Sequence, residues 1–386
     1  MDIDRLLSEK MGRVEASGIR RVFDLAASLK DPIDLSIGQP DFAAPDAIKA
    51  GAIAAITENR NGYTPSVGIK PLQDRITRHV QDDLGWPEGG GWSAMVTSGT
   101  LGALQLALMA MLDPGDELIH PDPYFVAYPH LVRLLGAKPV GCDTYPDFRM
   151  TAERVEPLIT ERTKAVLVNS PSNPAGVVLS KQECADLRDL CRRRGVLLIS
   201  DEIYDEFVYD DARDEAAGRA PSPCRVADAC EDTLLIRGFG KTYGVTGWRM
   251  GYAAGPAKLM NEMIKVQQYT FVCPPSIAQW GCMEAFNCDV GPTVARFQKR
   301  RDMVFDMLSE VTEIARPGGA FFAFPRVPER LGMTGRQFIE KAVGRSVLVI
   351  NGGVFSARDT HFRLSFAVEE GRLKRGLETL VVLLRG

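Results

Sequence analysis

Four polar clusters follow apolar runs in the middle of the chain, and each carries side chains able to do chemistry. They are Thr97-Ser98-Gly99-Thr100, Asn169-Ser170-Pro171-Ser172-Asn173-Pro174-Ala175-Gly176, Asp201-Glu202-Ile203-Tyr204 and Gly238-Phe239-Gly240-Lys241. A lysine amine attacks a carbonyl only when neutral, and desolvation beside other cations releases its proton. A Ser-Gly-Thr helix start offers unpaired N–H groups and a dipole to a phosphate. Each cluster also has a plainer reading. Asn-Pro-x-Gly makes turns, an Asp-Glu pair caps helices or faces solvent, a Gly-flanked lysine is a surface charge, and Ser-Gly-Thr caps a helix. What those readings leave unexplained is the joint occurrence of four such clusters at strand ends, where ligands bind in open α/β sheets.

Periodicity predicts the elements that must position them. From about residue 95 to 255, short apolar runs (Leu118-Ile119, Ala165 to Val168, Val196 to Ile199, Thr233 to Ile236) alternate with helix-spaced stretches such as 100–112 and 180–194. This pattern predicts an α/β fold, a mainly parallel sheet covered by helices on both faces. Ser180 and Glu183 have the spacing of a capping box. After Phe286 a charged helix pattern near 292–310, Pro317-Gly318-Gly319, three apolar runs (320–324, 346–350, 362–367) and a last helix predict a smaller α+β domain. Residues 1–40, with a helix near 14–29, then Pro32 and Pro40, are expected as an N-terminal arm of that domain. The expected division is thus 1–40 arm, 41–288 large domain, 289–386 small C-terminal domain. The segment 210–224, rich in Asp, Ala, Gly and Pro, is expected as an exposed loop.

Composition narrows the function classes. With 386 residues and 45% apolar content, the chain can bury a large core in two or three domains. No apolar run approaches the roughly 18 residues of a membrane span, and Met1 to Lys10 is charged where a signal peptide needs apolar residues, so a cytoplasmic location is expected. The net charge of −4 carries no basic stripe, which argues against nucleic acid. Eight cysteines without a CxxC pair and four histidines outside any HExxH pattern give no metal site. Packed, reduced thiols are the expectation.

Taken together, the motifs resemble the fold type I, class I/II (aspartate aminotransferase-like) family of pyridoxal-phosphate aminotransferases. The resemblance runs from Leu35-Ser36-Ile37-Gly38-Gln39-Pro40-Asp41-Phe42 to Phe362-Arg363-Leu364-Ser365-Phe366. Its most specific segment is Gly240-Lys241-Thr242-Tyr243-Gly244-Val245-Thr246-Gly247-Trp248-Arg249-Met250-Gly251-Tyr252. It implies a seven-stranded-type, mainly parallel sheet between helices plus a smaller α+β domain, with pyridoxal 5′-phosphate as cofactor. The implied activity moves an amino group from an L-amino acid to a 2-oxo acid, through a Lys241 Schiff base and pyridoxamine phosphate.

The same resemblance assigns roles. Lys241 holds the cofactor and then shuttles the proton between the substrate α-carbon and the cofactor's C4′ as acid and base. Asp201 keeps the pyridine nitrogen protonated, an interaction of about 4 kcal/mol at about 4 Å and an effective dielectric near 20. Asn173 and Tyr204 hydrogen-bond the cofactor's O3′, and Tyr124 stacks on the ring. Ser98, Gly99, Thr100 and Leu101 at the helix start, with Arg249 as a bidentate clamp, take the phosphate. Tyr63, in Gly62-Tyr63-Thr64-Pro65, matches a tyrosine reaching the partner subunit's cofactor, which implies a homodimer with a shared site. Arg363, Gly38 and Asn173 take the substrate, Arg363 gripping the α-carboxylate. The chain departs from the family's commonest pattern at Gly240, where serine is usual.

A lyase or cyclising enzyme would use the same lysine, aspartate and arginines. It would differ in leaving the cofactor in its aldehyde form when given an amino acid alone. A cofactor-binding regulator would need a helix-turn-helix, for which Met1 to Lys30 is too short and too poor in clustered basic residues. No strand is followed by GxGxxG, which argues against a dinucleotide dehydrogenase. Leu101, Tyr124, Phe125 and Phe355 near the expected pocket are apolar, and no second arginine is placed there, so a neutral or hydrophobic donor is expected, with 2-oxoglutarate or pyruvate as acceptor.

Overall fold

The apolar runs become strands because their Val, Ile and Leu side chains pack on both faces of a pleated surface. The structure, a computed structural model, describes residues 1, 3–16, 18 and 29–386. Its strands are β1 (Ile33–Asp34), β2 (Trp92–Thr97), β3 (Glu117–Asp122), β4 (Lys138–Asp143), β5 (Thr163–Asn169), β6 (Leu197–Asp201), β7 (Thr233–Gly238), β8 (Gly251–Pro256), β9 (Phe322–Ala323), β10 (Val347–Leu348), β11 (Ile350–Asn351) and β12 (Phe362–Ser365). Seven form one sheet in the order β2-β8-β7-β6-β5-β3-β4. β8 runs antiparallel to both neighbours, and the other pairs are parallel. The sequence expectation of a mainly parallel seven-stranded sheet therefore holds.

Val166, Leu167, Leu198, Ile199, Leu234, Leu235 and Ile236 are fully buried at the sheet's centre. Each contributes about 1.5–3 kcal/mol relative to exposure. Helix Gly99–Met111 is apolar nearly all round, because it is covered by β8 on one side and helix Ala257–Tyr269 on another. Helix Lys181–Arg194 begins with the capping box that its sequence predicts, Ser180 Oγ accepting from Glu183 N and Glu183 from Ser180 N.

A second core lies around helices Gly291–Ser309, Gly335–Val343 and Glu370–Arg385. Phe297, Val304, Phe321, Phe322, Phe362 and Leu377 pack there, on the three-stranded antiparallel sheet β11-β12-β9. Two outside segments enter this core. β1 pairs in parallel with β10, bringing Leu35. The loop after β6 brings Tyr204, Phe207 and Tyr209, so that one loop connects the end of the main sheet to the second core.

Beneath that loop sits a buried ion cluster. The Arg237 guanidinium, 1% exposed, pairs with Asp83 at 2.7 Å, Glu202 at 2.8 Å and Asp205 at 3.3 Å. Paired on several sides, the charges are tolerated in the interior and fix residues 202–205 against β7.

The segment 210–224 is only in part the exposed loop that its composition predicts: Asp210, Asp211, Glu215, Ala216 and Gly218 are exposed, whereas Asp214, Ala220 and Cys224 are buried. Lys181 (2.7 Å) and Arg225 (3.6 Å) neutralise Asp214. The helix expected near 14–29 falls, for residues 17 and 19–28, outside the described residues. Among the described residues no helix is long and apolar enough to cross a membrane. All eight cysteines are free thiols, six buried and two half-buried.

Candidate active site

Where β2 ends, the chain turns directly into helix Gly99–Met111, and Gly99 sits at φ +74°. A Cβ there would lie 2.8 Å from an Arg249 Nη. Glycine is thus required both by the left-handed backbone and by the close guanidinium. A Cβ on Gly251 would fall 2.7 Å from the Gly99 carbonyl carbon and 2.9 Å from the Thr100 nitrogen. The start of β8 therefore presses on the helix start, and Arg249, exposed and held by a 3.1 Å bond from Nη1 to the Thr246 carbonyl, stands beside it. Unpaired amides, a helix dipole and a guanidinium converge on one spot suited to a phosphate.

At the end of β6, Asp201 is 7% exposed and no cation pairs with it among the described residues. Its Oδ2 accepts from the Tyr128 hydroxyl at 2.7 Å and its Oδ1 from the Ile203 N–H at 3.3 Å. Burial raises the Asp201 carboxyl to about 6, against the pull of those two bonds. Its backbone carbonyl accepts from Asn169 Nδ2 at 2.9 Å, and Asn169 Oδ1 accepts from the Asn173 N–H at 2.8 Å. The ends of β5 and β6 are thereby locked together with Asn173.

Lys241 follows β7 in the short helix Phe239–Thr242 and points its amine at the Gly38 carbonyl, to which it donates a hydrogen bond. Burial lowers the amine to about 8, and the charges of Arg363 and Arg249 push the same way. Such an amine is neutral in an appreciable fraction of molecules near neutral pH.

Arg363 lies on β12, 2% exposed, with its guanidinium carbon 4.5 Å from the Phe322 ring centroid and 4.6 Å from that of Phe355. One Nη donates to Asn173 Oδ1 at 3.0 Å and the other to the Ser36 carbonyl at 2.8 Å. Its Nε is buried with no partner among the described residues. Burial lowers this guanidinium to about 10, so it stays cationic at neutral pH. Gly38 faces it, since a Cβ there would lie 3.9 Å from an Arg363 Nη. Tyr204, also buried, packs edge-on to Phe322 at 6.0 Å.

The structure thus gathers Gly38, Asn173, Asp201, Tyr204, Lys241 and Arg363 around one centre, with Ser98, Gly99, Thr100 and Arg249 at its phosphate-suited edge. Tyr124 joins through its N–H, which donates to the Phe355 carbonyl at 2.8 Å. Leu101 is partly exposed in the first turn of the helix, and Tyr63 stands apart at 90% exposure. Sequence reasoning missed Tyr128, whose place in an apolar helix reads as core, and the flanking of Arg363 by Phe322.

A model of the family described as aminotransferase class I and II matches residues 30–380. The aspartate aminotransferase of Pyrococcus abyssi is 32% identical, over 98% of each chain. Among solved structures, the aspartate aminotransferase of Thermus thermophilus with maleate superposes with a TM-score of 0.90 at 33% identity, covering 98% of this chain and 99% of that one. The aromatic aminotransferase of Pyrococcus horikoshii gives a TM-score of 0.86 at 32% identity, covering 94% and 98%. By sequence and by fold along nearly its whole length, the chain belongs to the class I and II aminotransferases, the enzymes that transfer amino groups with pyridoxal phosphate.

Proposed function

We propose that this aminotransferase takes the amino group of a neutral or hydrophobic L-amino acid and passes it to 2-oxoglutarate or pyruvate, using the strand-end centre around Lys241. The observation that carries the reading is the charge arrangement across that centre. A buried lysine with a lowered pKa and a buried arginine lie on one side, and a buried carboxylate without a cation on the other.

The residues fit pyridoxal phosphate. The Gly99 cradle and Arg249 offer donors and charge for its phosphate. Asp201, an uncompensated buried carboxylate, would be stabilised by a protonated ring nitrogen. Asn173 and Tyr204 would bond its phenolic oxygen, Tyr124 would supply an aromatic face, and Lys241 would supply the amine for its aldehyde. When bound, the cofactor supplies an electron sink for the electron pair left at the substrate α-carbon.

The protein's own tasks then divide. Arg363 holds the substrate α-carboxylate with parallel N–H bonds, its faces already covered by Phe322 and Phe355 so that little ordering remains to be done. Gly38 adds backbone contacts. Lys241 Nζ accepts the α-proton and later returns it, a task matched to a group that titrates near 8. Because Lys241 follows the main sheet while Arg363 and Gly38 belong to segments packed on the second core, substrate bridges the two and excludes water.

Leu101 and Tyr124 offer apolar surface to the donor's side chain, which favours a donor without a second carboxylate. Tyr63 at 90% exposure and Tyr269 at 86% are costly to leave in water, which supports a homodimer in which Tyr63 completes the partner's site. Eight unpaired thiols agree with a reducing, cytoplasmic setting. The deciding experiment is a donor screen on the loaded enzyme without acceptor, read as the absorbance change from the aldehyde to the amine form of the cofactor. Leucine, methionine, alanine or an aromatic donor is expected to drive it. Strict preference for aspartate overturns the substrate assignment, and product release without the absorbance change assigns lyase chemistry instead.

A further inference from the structure

We infer that Tyr128 is a positioning residue for the reaction, its hydroxyl bonded to Asp201 Oδ2 so that the shared proton stays on the cofactor's ring nitrogen and not on Asp201. The inference rests on the assignment of Asp201 to that nitrogen made above.

Tyr128 lies in helix Ala127–Leu134 at 1% exposure, its ring packed edge-on against Phe125 with centroids 5.6 Å apart. The phenol therefore has one fixed direction, and along it lies Asp201 Oδ2 at 2.7 Å. The other donor to this carboxylate, the Ile203 N–H, is at 3.3 Å and weaker. Glu202 is the neighbouring carboxylate, and its charge favours protonation of Asp201. Carboxylate and ring nitrogen compete for one proton, and whichever is the weaker base loses it. A short hydrogen bond to the ionised carboxylate weakens it as a base. Burial works the other way, making Asp201 a better proton acceptor, so the phenol sits where the balance is decided. Burial and the Asp201 charge hold the Tyr128 phenol neutral, hence a donor throughout the working pH range.

The test is nitrogen-15 NMR of enzyme loaded with cofactor labelled at the ring nitrogen, comparing wild type with Tyr128→Phe and Asp201→Asn. Both variants are expected to move the resonance from the protonated toward the neutral pyridine position, Asp201→Asn furthest. Tyr128→Phe is also expected to lower kcat about tenfold, the equivalent of one pKa unit, with KM unchanged within about twofold. If the phenylalanine variant does not fold, p-aminophenylalanine at position 128 keeps the shape and a weaker donor, and should move the resonance the same way by less. A resonance moved by Asp201→Asn but unmoved by a folded position-128 variant overturns the role of Tyr128. A resonance unmoved by Asp201→Asn instead overturns the placement of Asp201 at the ring, and this inference with it.

Discussion

Asn173 Oδ1 accepts a hydrogen bond from Nη1 of Arg363 at 3.0 Å, although the two residues are separated by 190 positions. Asn173 is itself fixed by Asn169, and Asn169 by the Asp201 carbonyl. A continuous set of bonds therefore runs from the backbone carbonyl of Asp201, at the end of β6, to the guanidinium on β12. The residues proposed to anchor cofactor and substrate form one aligned unit, and four predictions draw on it and its neighbours.

Replacing Arg363 by lysine keeps a charge but loses the planar fork, its flanking rings and the bond to Asn173. Hydrogen bonds to charged groups are worth about 1.5–3 kcal/mol. The KM for the amino donor should therefore rise about 10- to 100-fold in steady-state assays, with the fold intact by circular dichroism.

The raised pKa of Asp201 is paid in stability. A carboxyl that binds its proton more tightly when folded loses folding stability as pH rises from its free value of 3.8 through about 6, and the full cost persists above that. The cofactor-free Asp201→Asn protein should thus be more stable than wild type near pH 7.5, by up to about 3 kcal/mol. Urea unfolding should show the gap closing as pH falls through the 6 to 3.8 window. An unchanged gap at all pH values would remove Asp201 as its cause.

For Lys241, the neutral amine becomes the major form above about pH 8. Capture of added pyridoxal phosphate by cofactor-free enzyme should accelerate with pH up to that point and then level off, as followed by absorbance. Removing one of the neighbouring charges, in Arg249→Ala, should move the inflection to higher pH, since that charge lowers the amine's pKa.

Gly240→Ser restores the family's usual hydroxyl. Its Cβ would sit 3.3 Å from Thr246 Cα, so the 243–246 turn must yield a few tenths of an ångström. Stability of the cofactor-free protein should fall by up to about 1 kcal/mol in a thermal melt, a mild overpacking cost. Cofactor binding by equilibrium dialysis should be at least as tight as in the parent, and clearly weaker binding would mean that residue 240 does not face the phosphate.

The sheet was legible where strands are covered on both faces, since Ala165 to Val168 and Thr233 to Ile236 can be little else. It was less legible at β4, whose Lys138-Pro139-Val140-Gly141-Cys142-Asp143 is a polar edge, and at β8, whose Gly251-Tyr252-Ala253-Ala254-Gly255-Pro256 lacks β-branched residues. Lys241, Asp201 and Arg363 could be singled out because each stands in a motif. Tyr128 could not, because the partner of its hydroxyl, Asp201, is 73 residues away and an aromatic on the buried face of a helix looks like packing. Arg237 was opaque for the same reason, its partner Asp83 being 154 residues distant. The burial of Asp214 within 210–224 depends on Lys181 and Arg225 reaching it, a meeting that local composition does not encode.

The rings of Phe322 and Phe355 over the two faces of Arg363 have an evolutionary reading. With its faces covered and its ends tied to Asn173 and Ser36, this side chain, in the role proposed for it, would recognise only the part that all α-amino acids share. Preference among donors would then be free to drift through residues such as Leu101 without retuning the common handle, so that new substrates would be within reach of a few substitutions remote from the guanidinium.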